Sequence, residues 1–406
     1  MQVLIQFCEK RNIPLIPISL ILLGCGLWPE MEILTPSFPD MKRVFHVTDA
    51  QIQELLSWNF TGFLIGVLFA GPFCDQWGRK KVLIWGSLCY IFVSFFAPLT
   101  DSFLQLTIIR FFQGLFMTGP IVAGSVLLLE ITSGEKQVFW STLSGSIITL
   151  CMAIAPLIGS WLNNMFGYQS NLWSIFIMAI IFVLPCLFLV PETLTEKNKK
   201  EFNLNLLMKN YYSLLKNKEF IFIGLCIALL VAAYWIYVGV SALYMVDYLG
   251  LDRKSFGYYQ GPIVGAYSIA SMFTAKIYKK IGLSKCIIIG GIFMLTGQVG
   301  LLIYTSAVLK ESPHWVTVFM MSFVGAMAFV TGVLWPFSTN MLSVHLRGFG
   351  QSLLHGLRLG IASLATFLLS FIYKGPITPV SIIMFMMLIL AIFCLFFARK
   401  TIKNIK

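Results

Sequence analysis

The stretch Gly71–Lys81, GPFCDQWGRKK, places one acid, two glycines and three bases close together. No Asp, Glu, Lys or Arg occurs in residues 55–74, which lead into it, or in residues 82–100, which follow it. A helix needs about 20 apolar residues to cross the hydrocarbon core of a bilayer, and each run has that length. The stretch is therefore predicted to be a tight polar loop between two membrane-spanning helices.

The composition of the whole chain agrees with this interpretation. Its 406 residues are 58% hydrophobic and 11% charged, which is too little charge to coat a water-soluble protein of this size. The apolar runs are continuous rather than alternating, which indicates spanning helices and not a β-barrel. No secretory signal peptide is expected, because the first apolar run lacks a small-residue cleavage site, and we interpret it as the first span.

Twelve spans are predicted, and the bases between them indicate the orientation of the chain. Most loop bases, including Arg79, Lys80 and Lys81, fall in one set of alternate loops. Because basic loops stay in the cytoplasm, we expect both termini there, in a multi-pass protein of the bacterial inner (cytoplasmic) membrane. The net charge of +12 then reflects topology and not nucleic-acid binding. The spans lie near residues 12–37, 51–71, 82–99, 103–129, 138–161, 171–190, 220–245, 255–275, 286–308, 314–341, 349–372 and 376–398.

A long polar segment divides these spans into two sets of six. Residues 191–219 follow the sixth span, and their second part repeats apolar residues at helical spacing. This pattern predicts an amphipathic helix along the cytoplasmic surface. We therefore divide the chain into an N-terminal half, 1–190, a basic linker, 191–219, and a C-terminal half, 220–406. The layout is typical of secondary transporters that hold their substrate site between two halves.

Two acids in the first span are candidates for proton coupling. A charge inside the membrane is costly unless it is paired or hydrated, so such residues are functional candidates. Glu30 and Glu32 are two residues apart, about 200° around a helix, and cannot face the same cavity. A carboxyl in an apolar cavity is suited to bind and release a proton. The alternative is that both acids lie high enough in the span to contact external water.

Two arginines and a histidine also lie within predicted spans. Arg110 is deep enough in span four to need an acidic partner or an anionic substrate group. Arg358 follows His355 by three residues on one face of span eleven. If Arg358 faces the cavity, an anionic substrate is favoured over a cationic drug. Alternatively, Arg358 lies near the cytoplasmic mouth and extends its charge to the interface.

The loop GPFCDQWGRKK resembles the signature G-x-x-x-D-[RK]-x-G-R-[RK]-[RK] of the major facilitator superfamily. Gln76 replaces the usual base of that signature, and the corresponding loop of the second half, 275–285, has no acid. In this family the loop latches the two halves on the cytoplasmic side. Asp75 is expected to cap the next helix or to pair with a nearby base. The residues that match are Gly71, Asp75, Gly78, Arg79, Lys80 and Lys81. The resemblance implies that the first five of them form a conformational latch.

Three further motifs support the resemblance. Span four contains the L-x-x-x-R-x-x-Q-G pattern, with Arg110 and Gln113. Span five contains APLIG, residues 155–159, which is similar to an abbreviated antiporter motif. EILTPSFP, residues 32–39, resembles the acid-x-x-x-P-x-x-P element of the Bcr/CflA subgroup of twelve-span drug:proton antiporters. The antiporter-like residues are Ala155, Pro156 and Gly159.

The resemblance implies an all-α integral membrane protein with twelve transmembrane helices in two six-helix halves, the major facilitator fold. It also implies that Glu32 faces the cavity and carries the proton. Glu30 is then expected to face a neighbouring helix or the outer vestibule. Arg110 is expected to tune protonation and to hold the first half together.

The predicted function is secondary active transport, namely proton-coupled efflux of a small organic molecule, drug or metabolite, by alternating access. One alternative keeps the fold but takes up or exports an anionic solute such as a carboxylate siderophore. Another is a membrane receptor or scaffold without transport. An enzyme is not expected, because no catalytic set of nucleophile, base and metal appears. The candidate substrate-binding residues are Arg358, His355, Tyr234, Tyr237 and Gln113.

No bound cofactor is expected. The nine cysteines are scattered and form no C-x-x-C pair, so neither a metal site nor a disulfide framework is predicted. No P-loop is present, which leaves the proton gradient as the expected energy source in place of ATP. The expected partners are a small-molecule substrate and the lipid bilayer, with no nucleic acid, and the protein is expected to be a monomer.

Overall fold

The structure is a computed structural model that describes residues 14–194, 203–308, 311–343 and 346–403. These residues are helical, without any strand among them. Eleven helices in this part of the chain are long and apolar enough to cross a membrane. The remaining predicted span, the eighth, is also a helix, Arg253–Ile281. It is as long as its neighbours but more polar, because tyrosines, serines and Gln260 interrupt its apolar residues.

We number the spans α1 to α12 and call the short helix between α6 and α7 the linker helix. The first half comprises α1 Leu15–Phe45, α2 Asp49–Trp77, α3 Arg79–Phe96, α4 Phe103–Ile131, α5 Gly134–Phe166 and α6 Gln169–Leu189. The linker helix is Leu204–Lys216. The second half comprises α7 Lys218–Ala242, α8 Arg253–Ile281, α9 Leu283–Ala307, α10 Pro313–Asn340, α11 Arg347–Ser370 and α12 Thr378–Lys403.

The first span, α1, is not one regular helix. Pro29, Pro36 and Pro39 lack the N–H that a continuous α-helix uses for its backbone hydrogen bonds. The span accordingly consists of Leu15–Leu27, Glu30–Leu34, a 3₁₀ turn at Thr35–Ser37, and Phe38–Phe45. Glu30 and Glu32 therefore lie in a five-residue helical segment between two breaks.

Two pairs of helices join the halves. α2 packs along α11, and α5 packs along α8. Ser57 of α2 and Thr366 of α11 share a hydrogen bond of 2.7 Å. In the second pair, a Cβ added at Gly257 of α8 would come within 2.7 Å of Leu157 Cα, so this glycine permits close backbone contact. Small and hydroxylated side chains thus permit close contact between the halves along these two helix pairs.

The end of the bundle away from the linker helix carries a cluster of ion pairs, and we call this end the opposite face. Arg43 at the end of α1 lies 2.5 Å from Asp247, which follows α7. Arg253 of α8 lies 2.7 Å from Asp40 of α1. Both pairs connect the two halves, so the halves are in contact at this face. We call this cluster the charge clamp; its members are Asp40, Lys42, Arg43, Asp49, Asp247 and Arg253.

The linker helix lies at the other end of the bundle, the linker face, and contacts both halves. Tyr211 donates its hydroxyl to the carbonyl of Leu68 in α2 at 3.0 Å, and its ring packs edge-on against Phe349 of α11. Burial raises the pKa of Tyr211 to about 12, so the hydroxyl keeps its proton and remains a donor. A helix is present where the linker periodicity predicts one, although Phe202 of that pattern lies outside the described residues.

Candidate functional site

Glu32 lies in the buried interface between α1, α7 and α8. Its side chain has no solvent exposure. Tyr234 of α7 donates its hydroxyl to Glu32 Oε1, and Gln260 Nε2 of α8 lies 3.4 Å from Oε2. Both partners belong to the second half. Within the described ranges no base is at ion-pair distance from Glu32. The carboxyl of Glu32 therefore bridges the two halves without a compensating cation.

Tyr237 lies three residues after Tyr234 on α7, next to the Glu32 contacts. Its side chain is fully buried. Neither its hydroxyl nor Gln260 Oε1 has a hydrogen-bond partner among the described residues. Buried polar atoms in proteins nearly always have a hydrogen-bond partner, so two neighbouring buried oxygens without one are unusual. The structure thus brings Glu32, Tyr234 and Tyr237 together, and it adds Gln260, which the sequence did not single out.

Glu30 faces the other side of the same helical segment. Arg110 of α4 approaches Glu30 Oε1 at 3.5 Å, and Asn59 of α2 donates to the same oxygen at 2.7 Å. Tyr90 of α3 donates its hydroxyl to Oε2. All four side chains are buried and all belong to the first half. Glu30 therefore faces neighbouring helices, one of the two positions expected for it.

Arg110 and Gln113 extend this polar network away from Glu32. Arg110 donates to Gln113 Oε1 at 2.8 Å, and Gln113 Nε2 donates to Ser94 Oγ of α3 at 2.9 Å. Both side chains of the α4 motif are fully buried. The structure therefore pairs Arg110 with Glu30 rather than Glu32, and it places Gln113 inside the first half. Ser94 and its neighbours in this network were missed because a lone polar residue in an apolar run gives little sequence signal.

Arg358 and His355 lie on the inward side of α11. The Arg358 guanidinium lies over the rings of Trp28 of α1 and Trp335 of α10, at 5.4 and 5.5 Å from their centroids. The His355 ring packs edge-on against Trp335 at 4.7 Å. Both α11 side chains are half-buried. Since Trp28 precedes Glu32 by four residues, this group lies about one turn from the Glu32 contacts.

The predicted latch residues make most of their contacts within the first half. Arg79 pairs with Asp75 at 3.2 Å and with Glu130 of α4 at 3.1 Å. Gly71 faces the second half, where a Cβ added to it would lie 3.6 Å from Ser352 Oγ of α11. Asp75 thus takes one of its two expected roles, pairing with a nearby base.

The start of α3 is capped by a residue at the beginning of the linker. Glu192, just after α6, accepts hydrogen bonds from the backbone N–H groups of Arg79 and Lys80 at 3.0 and 3.2 Å. A carboxylate at a helix N-terminus also interacts favourably with the helix dipole. Gly78, with φ +103°, permits this arrangement, since a Cβ there would come within 2.3 Å of Glu192 Oε2. The sequence offered no signal for Glu192, which is over a hundred residues away.

The antiporter-like residues of α5 pack between α1 and α8. A Cβ added at Gly159 would lie 2.3 Å from the carbonyl oxygen of Ile33, the residue next to Glu32. The carbonyl of Pro156 lies close to Gly257 of α8, and Ala155 is buried. This part of α5 therefore packs closely against the helical segment that carries Glu32.

Comparison with known proteins identifies a family and several relatives of this chain. The chain matches the profile of the Major Facilitator Superfamily over residues 20–365. It is 23% identical to the bicyclomycin resistance protein homolog of Haemophilus influenzae, over 62% of this chain and 63% of that protein. It is 24% identical to the multidrug resistance protein MdtM of Salmonella typhimurium, over 69% and 68%. The first match therefore spans less than two thirds of that relative's length.

Solved structures show the same fold. A D-xylose-proton symporter superposes with a TM-score of 0.73 at 15% identity, over 93% of this chain and 96% of the symporter. The nucleoside transporter NupG superposes with a TM-score of 0.70 at 13% identity, over 95% and 99%. The predicted fold is thus confirmed by architecture and by sequence profile. This chain belongs to the Major Facilitator Superfamily.

Proposed function

We propose that this protein is a secondary active transporter that exports a small organic molecule in exchange for protons by alternating access. The observation that carries this proposal is the position of Glu32, a fully buried carboxyl whose partners, Tyr234 and Gln260, belong to the opposite half. Any motion that separates the halves here breaks these contacts. The protonation state of the Glu32 carboxyl is therefore linked to whether the two halves are in contact around it.

The linkage supplies a mechanism for coupling. An isolated buried carboxylate is costly, so a proton accompanies Glu32 while the halves enclose it without a base. When the halves open and water reaches Glu32, the carboxylate is solvated and the proton leaves. A proton taken up on one side of the membrane is thereby released on the other. Glu30 does not share this behaviour, because Arg110 holds it inside one half.

The relatives support export of drug-like molecules. Their names describe resistance to bicyclomycin and to multiple drugs, and a further relative is the chloramphenicol resistance protein CraA of Acinetobacter baumannii, 23% identical over 72% of this chain and 71% of that protein. We extend to this chain an efflux function of the same kind. The substrate is a small organic molecule, drug or metabolite.

We place the protein in the bacterial inner membrane with the linker face in the cytoplasm. Basic residues concentrate in the loops at that face, among them Arg79 and Lys80, and basic loops remain in the cytoplasm. The charge clamp then lies on the external side, and its ion pairs hold the halves together there. Accordingly, the structure corresponds to a state closed to the outside.

The test uses an efflux-deficient bacterial host that expresses the wild type, Glu32→Gln or Glu54→Gln at equal levels. Glu54, in α2, is a matched control because no ion pair or hydrogen bond involves its side chain in the described structure. We expect wild type and Glu54→Gln to raise tolerance to at least one lipophilic compound, and Glu32→Gln to remove the gain. In everted vesicles the same compound should dissipate the pH gradient with the wild type and with Glu54→Gln, but not with Glu32→Gln.

Equal tolerance from Glu32→Gln and the wild type would overturn the role of Glu32. If no compound in a broad panel, including anions, changes tolerance or the pH gradient, the efflux proposal fails. The receptor or scaffold alternative then gains support.

A further inference from the structure

We propose that Arg358, with His355, Trp28 and Trp335, binds the anionic group of the transported molecule, and that the substrate class is an aromatic or similarly flat organic carboxylate. The proposal rests on the transport function proposed above and specifies its substrate. We call these four residues the Arg358 site. Three spans supply them, α1 from one half and α10 and α11 from the other, so the site lies between the halves.

The site is accessible space and not sealed core. Arg358, His355, Trp28 and Trp335 are each half-buried, although α1, α10 and α11 surround them. Each of the four side chains keeps part of its surface exposed between the halves, and we take this exposed surface as the approach for a ligand. The guanidinium lies over the two indole rings at this place.

Arg358 carries a charge that the described residues do not neutralise. No carboxylate among them is within ion-pair distance of it, and its Nε is buried without a hydrogen-bond partner. The acids of α1 are engaged elsewhere, Glu30 by Arg110, Glu32 by Tyr234 and Asp40 by Arg253. A permanent cation inside the membrane is usually paired, so an unpaired one indicates a ligand.

The arrangement fits a carboxylate attached to a flat apolar body. An arginine presents a planar fork of N–H donors that matches a carboxylate with two parallel hydrogen bonds. The indole rings of Trp28 and Trp335, which lie against the guanidinium, surround it with apolar groups that suit the flat apolar body of such a carboxylate. Trp335 is held in place because its Nε1 donates to Gln351 Oε1 at 2.7 Å. His355 Nδ1 is buried without a partner in the described structure and adds a second polar atom.

An anionic substrate changes the net charge that crosses the membrane in each transport cycle. Export of a monoanion against one proton moves two elementary charges across the membrane in the same electrical sense. Exchange of a monocation against one proton moves none. An inside-negative potential therefore drives export of an anion more strongly than export of a cation with the same proton stoichiometry.

The test measures binding of three probes with one ring system to the purified full-length protein by calorimetry at neutral pH. The probes are 2-naphthoate, the neutral 2-naphthamide and the cationic 2-naphthylmethylammonium. We expect naphthoate to bind the wild type about tenfold more tightly than the amide, with the ammonium weakest, a factor equal to about 1.4 kcal/mol. Arg358→Gln should remove the preference while leaving amide binding in place. Arg358→Lys should recover part of it, and Lys285→Gln, an exposed control on α9, should change nothing.

The wild-type order alone decides the proposal, so it does not depend on the variants folding. Equal or tighter binding of the amide or the ammonium would overturn it, as would the absence of naphthoate binding at millimolar concentration. If the binding test fails but the protein still confers drug tolerance that depends on Glu32, the transport function stands and only the proposed substrate class is wrong. If naphthoate binds but no solute moves protons, the transport function fails instead.

Discussion

Glu30 and Glu32 are two residues apart on one short helical segment, yet the structure gives them opposite surroundings. Glu30 lies against Arg110, Asn59 and Tyr90, all within the first half. Glu32 reaches Tyr234 of the second half and has no cation among the described residues. The difference is that one acid is part of the permanent structure of a half, whereas the other is part of a contact that must break whenever the halves move.

This contrast explains why a chain with so few intramembrane charges keeps two acids side by side. A paired buried acid contributes to the geometry of the half, because removing either partner leaves an unpaired charge. An unpaired acid can change its proton without disturbing the half that carries it. Mutations should therefore separate stability, which depends on Glu30, from transport, which depends on Glu32.

The largest expected effect is on stability, from breaking the Glu30–Arg110 pair. Arg110→Gln leaves a buried carboxylate without its cation and should lower the free energy of unfolding by about 3–5 kcal/mol. Thermal unfolding of detergent-purified protein measures this. Arg358→Gln is the matched control, since Arg358 has no acidic partner in the described residues and its loss should destabilise far less. Combining Glu30→Gln with Arg110→Gln should restore part of the loss. Normal stability of Arg110→Gln would show that the pair is not structural.

Smaller effects on stability are expected from the two tyrosines that donate hydrogen bonds to Glu30 and Glu32. Tyr90→Phe removes a hydrogen bond to the charged Glu30 and should cost about 1.5–3 kcal/mol. Tyr234→Phe removes a hydrogen bond to Glu32, the proton carrier that we propose, and should cost about 0.5–1.5 kcal/mol. Unfolding curves of both variants, collected side by side, give the comparison. A larger loss from Tyr234→Phe would reverse the roles that we assign to the two acids.

Glu32→Gln should have a small effect on stability and a large one on transport. Glutamine keeps the shape and one oxygen acceptor for Tyr234, so we expect a change below about 1 kcal/mol in unfolding free energy. Proton-coupled transport should nevertheless be lost, because an amide does not carry the proton. Substrate-induced proton movement in vesicles and thermal unfolding are measured on the same preparation. Loss of fold together with loss of transport would contradict a purely coupling role.

The smallest expected effect comes from the charge clamp at the opposite face. Asp247 pairs with Arg43 and Lys42, but these side chains are partly exposed, and such pairs contribute about 0.2–1 kcal/mol. Asp247→Asn should therefore shift the protein modestly toward a state open at that face, and added salt should weaken the difference. Labelling of a single cysteine introduced beside Glu32, in a cysteine-free background, reports the opening. Asp252→Asn is the control, as its side chain makes no cap hydrogen bond.

Much of this arrangement was predictable because membrane helices leave a local signature. Twelve apolar runs, the loop GPFCDQWGRKK and the linker each indicate their structure from neighbouring residues alone. The helix Leu204–Lys216 is present where apolar residues recur at helical spacing. The separation of Glu30 from Glu32 also follows from two residues of helix rotation. The one span with a weak apolar signal, Arg253–Ile281, is polar because it lies beside the inter-half contacts, where Gln260 reaches Glu32.

Hydropathy and charge act locally along the chain. The residues alone therefore indicate a bundle of membrane helices in two sets, with acids and arginines inside the spans. Which of these groups meet depends on the packing of the helices. Arg110 pairs with Glu30 and not Glu32, Glu192 of the linker caps α3, and Trp28 and Trp335 flank Arg358. These pairings join distant residues, and they depend on the rotation of each helix about its axis. In α1 that rotation is set by the breaks at its prolines, whose effect on direction appears only when the neighbouring helices are in place.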